Sequence, residues 1–105
     1  MRFDTIIIGG GLSGMTCAAM LAKGGHKVGL VTTGKSTLQF NSGSFDLMGY
    51  VEGQAVEHPL EALKQLSEGH PYRKIGGDKL DSYIEEAKKL LEEAGLTFKG
   101  TAEKN

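Results

Sequence analysis

The sequence predicts an α/β fold built on a parallel βαβ unit, and three observations predict it. Phe3 to Ile8 ends in three consecutive isoleucines, a continuous apolar run rather than an alternating one. Gly9, Gly10, Gly11 and Gly14 follow at once, and they open a stretch of small and apolar residues from Ser13 to Lys23. A second apolar run, Lys27 to Thr32, comes directly after. Strand, helix and strand within about 30 residues is the βαβ pattern, whose crossover is right-handed.

Each element has its own physical reason. An unbroken apolar run reads as a strand buried on both faces of a parallel sheet. The small residues Cys17, Ala18 and Ala19 suit a helix packed tightly on that sheet. Gly24 and Gly25 stand where glycine ends a helix. Residues 1–34 form the βαβ unit. Residues 35–58, rich in Ser, Thr, Asn and Gly and poor in charge, are expected to be a binding loop, because long aperiodic stretches are uncommon without a ligand. Residues 59–105 are expected to be a helical segment followed by a possible strand. In it, His58-Pro59 opens a short helix with Leu60, Leu63 and Leu66 on one face. A longer helix runs from Asp78 to Ala94, with Leu80, Tyr83, Ile84, Ala87, Leu90, Leu91 and Ala94 at helical spacing. Asp78 or Asp81 is expected to cap it and Gly95 to stop it. Leu96 to Lys99 is the candidate strand.

Composition narrows the function classes. There are 16 glycines in 105 residues, roughly twice the usual share of about 7%. With only two prolines and no Gly-X-Y period, collagen and Pro/Gly low complexity are excluded. A net charge of −1 and a pI near 6.3 leave no electrostatic footprint for nucleic acid. The single cysteine, Cys17, excludes an internal disulfide framework and a cysteine-based iron–sulfur site. His58 and His70, twelve residues apart with no nearby cysteine, make no metal site, so no metal is expected. No apolar run reaches the roughly 18 to 20 residues of a membrane span, and the start lacks a signal-peptide pattern. A cytoplasmic location follows as the expectation.

Gly9-Gly10-Gly11-Leu12-Ser13-Gly14 fits G-x-G-x-x-G. Taken alone the pattern is weak, but here it follows a strand and opens a helix inside a βαβ unit. Gly9 permits the tight turn, Gly11 admits a phosphate to the backbone, and Gly14 lets helix and strand pack closely. The first-turn N–H groups, with the helix dipole behind them, then face the anion. Dinucleotide-binding units carry an acid at the end of the second strand, where it holds ribose hydroxyls. Here that position is Thr32, followed by Thr33 and Gly34, none of them acidic. A hydroxyl is no substitute for a charged bidentate acceptor, so a mononucleotide such as FMN is favoured over an adenosine-bearing cofactor. Together these readings predict an incomplete Rossmann-like, FAD/NAD(P)-binding fold: a βαβ unit plus added helices.

Three segments, RFDTIIIGGGLSG, LVTTGKSTLQFNSGSFDL and the HPY at His70 to Tyr72, resemble the N-terminus of the family of anaerobic glycerol-3-phosphate dehydrogenase B subunits. The first is shared in style with many flavoproteins. The second is more specific, because Thr32 replaces the acid and FNSGSFDL has no routine structural reading. The resemblance covers about half of the chain, and family members are several times longer, so it implies an N-terminal fragment.

What the resemblance implies is a subunit of a flavoprotein oxidoreductase that converts sn-glycerol 3-phosphate to dihydroxyacetone phosphate, with electron transfer to quinone in anaerobic respiration and glycerol metabolism. The implied partners are a catalytic, FAD-bearing A subunit and an iron–sulfur C subunit that anchors the complex at the inner face of the cell membrane. FMN is the cofactor implied for the B subunit, with FAD as the alternative. In such flavoproteins the loop after the second strand covers the phosphate and the flavin edge. Ser36, Thr37, Ser42, Gly43 and Ser44 would then offer donors, and Lys35 charge; the plain alternative is a solvated surface loop. No general base is assigned, and the flavin would carry the redox chemistry. Two rival readings stand beside this one: a generic FAD-dependent oxidoreductase, and a non-catalytic relay or structural subunit with a degenerate Rossmann unit. By itself the chain is expected to bind flavin weakly or not at all and to self-associate through an uncovered sheet face.

Overall fold

A computed structural model describes residues 1–104 and divides the chain into two compact units, Met1–Ser44 and a second that begins at Phe45. The first contains the expected strand–helix–strand order and also takes in residues 35–44 of the following segment. Strand β1 (Thr5–Ile8), helix α1 (Leu12–Lys23) and strand β2 (Val28–Val31) follow in order. The strands pair in parallel with Thr5 opposite Val28 and Ile8 opposite Val31. The Gly9 amide donates to the Val31 carbonyl at 2.9 Å, which carries the ladder one step past β1. At the other end the Asp4 carboxylate accepts from the Lys27 amide at 2.8 Å, pinning the start of β2 to the start of β1. Gly24 caps α1, and Gly25 takes the left-handed φ of +87° that reverses the chain.

The strands are not buried on both faces. Side chains of β1 alternate, so Ile7 lies under α1 while Ile6 and Ile8 point the other way and are 51% and 86% exposed. Val31, paired with Ile8, is 55% exposed. Phe3 and Ile6 pack across Gly29 on this same side, and the Lys27 ammonium lies over the Phe3 ring. An apolar run tells how many faces a strand could bury, whereas the number of covering layers is set by the elements that arrive. Cys17 is likewise exposed rather than packed. It sits at the edge of the stripe formed by Gly14, Ala18 and Leu21, and two four-residue strands are too narrow to reach it.

The second unit has the chain's buried core. Met48, Val51, Ala62, Leu63 and Leu80 are its centre, with Leu47, Val56, Leu60, Leu66, Tyr72 and Ile84 packed around them. Here the stretch expected to be uninterrupted loop contains a hairpin, β3 (Tyr50–Val51) with β4 (Gln54–Ala55). Glu52 and Gly53 join its strands with φ of +49° and +80°, the doubly positive geometry that two-residue hairpin turns favour. Glu-Gly is a poor turn signal in sequence, since glutamate rarely takes a positive φ. Helix α2 (Pro59–Ala62) continues into a 3₁₀ turn at Leu63–Gln65, and α3 (Pro71–Ile75) is an element the sequence pattern does not reveal.

Helix α4 (Gly77–Glu93) begins one residue before the expected start. Neither Asp78 nor Asp81 caps it. Gly76, with φ of +88°, is the N-cap, and Asp78 lies in the first turn, where its charge complements the dipole. Leu80 is buried and Ile84 packs against the core, but Tyr83 is 54% exposed. Gly95, with φ of +94°, ends the helix as expected. Leu96 to Lys99 forms no strand; the nearest pairing among the described residues is an isolated bridge between Thr101 and Lys104. Short segments with no further partner lack the cross-strand contacts that stabilise extended chain. No helix among the described residues is long and apolar enough to cross a membrane.

Candidate functional site

The turn between β1 and α1 is where the sequence pattern places the chemistry, and the structure shows why glycine is required there. Gly9 has a φ of +119°, open only to glycine. A methyl group at Gly14 would collide with the Gly9 carbonyl oxygen, so the first turn of α1 rests directly on the turn before it. Helix α1 has Gly11 as its N-cap, no side chain bonded to its first turn, and no acid in that turn. Its leading N–H groups are therefore donors without a side-chain acceptor.

Beside this turn lies a cleft of about 410 Å³ lined by Ile8, Gly9, Gly10, Gly11, Val31, Thr32, Thr33, Lys35, Ser36 and Thr37. Gly9, Gly10, Gly11, Thr32, Thr33 and Ser36 are thus brought together as expected. Thr32 faces Gly10, with its Oγ1 2.7 Å from where a Gly10 Cβ would stand, and that same Oγ1 accepts from the Gly34 amide at 3.3 Å. Thr37 Oγ1 lies 3.8 Å from a Cβ built at Gly11. The Ser36 hydroxyl accepts from the Leu38 amide at 3.2 Å and so starts the 3₁₀ turn Thr37–Phe40, which brings Thr37 back toward the glycines. Lys35 is the one charged residue lining the cleft, and no carboxylate lines it. The site is shaped for an anion: backbone and hydroxyl donors, one cation, and no side chain at Gly10 or Gly11 to block approach.

Other expected members lie elsewhere. Leu12, Ser13 and Gly14 form the first turn of α1 behind the glycines rather than the lining. Ser42, Gly43 and Ser44 do not line the cleft. They fold on themselves: the two serine hydroxyls are 3.0 Å apart and the Gly43 amide donates to Asn41 Oδ1. Short polar side chains bonding their own backbone neighbours are the usual competitor of ligand binding in such loops. A lysine beside a glycine is ordinarily just solvated, yet Lys35 lines the cleft. The signal for it in sequence is its place four residues past the end of β2, on the loop that must return toward the glycines.

Two of the three histidines bond to the backbone. His70 Nδ1 accepts from the Tyr72 amide at 3.1 Å, which caps α3. His58 Nδ1 is 3.0 Å from the Glu103 carbonyl oxygen rather than bonded to its own helix. His26 is exposed in the turn before β2. On α4, Lys88 pairs with Glu85 at 3.3 Å, an i,i+3 pair. Among the described residues, no group of three His, Cys, Asp or Glu side chains is placed to hold a metal ion.

The Thr32–Gly10 contact makes a direct prediction. Gly10→Ala puts a methyl 2.7 Å and 3.1 Å from Thr32 Oγ1 and Cβ, a cost of about 1–3 kcal/mol. The same change made on a Thr32→Ala background should lose most of that penalty, because the obstructing hydroxyl is gone. Urea denaturation of the two single variants and the double variant measures the coupling; additive effects would place the strain elsewhere.

Comparison with known proteins gives a consistent answer. A family model described as FAD binding domain matches residues 4–105. The chain is 44% identical over 110 residues to the B subunit of the anaerobic glycerol-3-phosphate dehydrogenase of Yersinia pestis bv. Antiqua (strain Antiqua), a match covering 100% of this chain and 26% of that protein. It is 38% identical to the corresponding B subunit of Pectobacterium carotovorum and 36% identical to that of Pasteurella multocida, with the same coverage in each case. The chain therefore spans 26% of the length of these relatives. No solved structure matches it.

Proposed function

The chain belongs to the FAD-binding-domain family, and from that premise we propose that it is the cofactor-binding N-terminal segment of a flavin-dependent subunit of an anaerobic glycerol-3-phosphate dehydrogenase. The observation that carries the proposal is the β1–glycine–α1 turn, whose helix has no side-chain acceptor at its first turn and whose Gly9, Gly10 and Gly11 line a cleft with one lysine and no carboxylate. These residues fit a flavin phosphate. Gly9, Gly10 and Gly11 would admit it to the backbone, the α1 N-terminus would hold its charge, and Thr32, Thr33, Ser36 and Thr37 would offer hydroxyls around it.

When bound, the flavin would accept the electron pair from substrate oxidation. The residues of this segment orient it and hold its phosphate. The names of the relatives support glycerol 3-phosphate as the substrate of the complete enzyme and the B subunit as the place of this chain within it. Electron delivery to quinone, a catalytic A subunit and a membrane-anchoring iron–sulfur C subunit complete the proposal. So do a peripheral position on the inner face of the membrane and self-association of the chain through the uncovered face of β1 and β2.

Within this reading FMN is the preferred flavin, because Thr32 stands where a ribose-binding acid would be and its hydroxyl oxygen is already engaged by the Gly34 amide. The family description favours FAD instead. Titrating FMN, FAD and NAD separately against the full-length protein, followed by flavin fluorescence and by amide shifts at Gly9 to Gly14, tests both. Tightest binding is expected for FMN, in fast exchange, and Thr32→Glu is expected to move the preference toward FAD. An unaltered chain that prefers FAD would support the generic flavoenzyme, and failure of all three to bind would support a structural subunit.

A further inference from the structure

We propose that the open edge of β1 pairs with the β1 edge of a second copy of this chain, antiparallel and centred on Ile7. The inference rests on the self-association proposed above and adds to it the edge, the register and the partner. Among the described residues the sheet of the first unit has two strands, so β1 has β2 on one side and no strand on the other. The amides of Thr5 and Gly9 bond to β2, at the carbonyls of Lys27 and Val31. Backbone groups alternate in direction along a strand, so the N–H and C=O of Ile6 and Ile8 aim at the open edge. Native edge strands are guarded by lysine, proline or a bulge. Thr5–Ile8 has neither lysine nor proline, and all four of its residues are β-branched. The edge of β2 is the poorer template, because Gly29 interrupts that strand.

What can cover the β1 edge depends on what the chain has left to offer. The other strands, β3 and β4, are two residues each and pair with one another. Leu96 to Lys99 forms no strand, and only residue 105 lies outside the described residues. A second copy, by contrast, is self-complementary, as a two-fold contact requires. Pairing centred on Ile7 sets Ile6 opposite Ile8 of the second copy and Ile8 opposite its Ile6, with reciprocal backbone hydrogen bonds at each position. The exposed Ile6 and Ile8 side chains of both copies then join into one apolar face. Asp4 falls opposite Gly10 of the second copy rather than opposite another acid, and a net charge of −1 gives little long-range repulsion. Helix α1 packs over both strands on the opposite side of the sheet. Two strand spacings of about 4.8 Å therefore set the two α1 helices roughly 10 Å apart, close to the separation at which helices pack. Each helix is uncharged as far as Lys23, with Leu12, Met15 and Met20 exposed, so its flanks suit an apolar neighbour. So short an edge falls below the roughly 1,200 Å² of a stable interface, which makes the dimer weak and concentration-dependent.

Sedimentation velocity of the 105-residue chain from micromolar to millimolar concentration, read beside hydrogen exchange along β1, is the test. A monomer–dimer equilibrium is expected. Protection of the Ile6 and Ile8 amides should rise with concentration, while the Gly9 amide, bonded to Val31, is protected throughout. Ile8→Lys is expected to weaken dimerisation by about tenfold or more, because pairing then draws an ammonium out of water against an isoleucine. Val31→Lys, on the same face but on β2, should change it by less than about threefold. The exchange readout uses the unaltered chain, so it decides the matter even if a variant fails to fold. A monomer at every concentration overturns the proposal and the self-association reading together. Association weakened equally by Ile8→Lys and Val31→Lys, with the Ile6 and Ile8 amides unprotected, keeps self-association through stacked sheet faces and overturns the edge pairing. Assemblies larger than a dimer also overturn it, because a two-fold pairing closes.

Discussion

Replacing Gly14 by alanine is expected to detach helix α1 from the turn that follows β1 and to abolish ligand binding in the first unit. The added methyl would meet the Gly9 carbonyl oxygen, with the Gly9 carbonyl carbon at 3.1 Å and Ile7 Cγ2 at 3.5 Å behind it. The first two obstacles are backbone, so no rotamer change relieves them. Relief requires α1 to lift off the strand, which separates the leading N–H groups from the glycine loop. The cost exceeds that of ordinary overpacking, about 1–3 kcal/mol, in a unit that has no fully buried residue from which to draw compensation. Gly25→Ala is the control. Its surroundings are open, and only its positive φ opposes the change, at about 1 kcal/mol. Hydrogen exchange at the α1 amides, together with titration of FMN or phosphate, should show a large loss for Gly14→Ala and a small one for Gly25→Ala. Equal effects would mean that backbone conformation, not close packing, is what Gly14 provides.

Leu63→Ala should have the largest effect in the second unit. Leu63 is 5% exposed at the junction of α2 and its 3₁₀ extension, among Met48, Val51, Ala62 and Leu80. Truncation of a buried leucine costs about 2–5 kcal/mol through lost transfer energy and the cavity left behind. So small a core leaves little reserve against a loss of that size. Leu96→Ala, at a residue 53% exposed, is expected to change stability by less than about 0.5 kcal/mol. Chemical denaturation followed by far-UV circular dichroism, with exchange protection of the α4 amides as a second probe, measures both. A cooperative transition in Leu63→Ala at an unshifted midpoint would show that the cluster around Leu63 does not hold this unit together.

The parts of the fold that are legible in the sequence share one property: their signal is local. The β1–α1–β2 order can be read because strand, glycine turn and helix each carry their pattern within a few residues. Gly25 and Gly95 can be read as helix stops because a positive φ is a demand on a single position. Leu60, Leu63 and Leu66 can be placed on one face because helical spacing settles which side chains share a side. The hairpin at Tyr50–Ala55 is not legible, since its turn uses Glu52 at a φ that glutamate seldom adopts. Nor is the cap of α4: two aspartates match the preference of the position, yet Gly76 at a φ of +88° starts the helix a residue earlier.

The same division runs through the candidate site. By itself, the sequence determined that Gly9, Gly10, Gly11 and Gly14 form the tight turn from β1 into α1, and that no acid stands at the end of β2. Both follow from residue type at a known spacing. Only the tertiary structure decided which hydroxyls join that turn. It brought Thr32, Ser36 and Thr37 to the glycines with Lys35, and turned Ser42, Gly43 and Ser44 onto one another instead. It also decided that Ile6, Ile8 and Val31 lie on an uncovered face, although their pattern is that of a buried strand. The physical reason is the range of the forces involved. Steric limits on a glycine or the period of a helix act over one to four residues, whereas burial and the convergence of side chains depend on which segments meet in space.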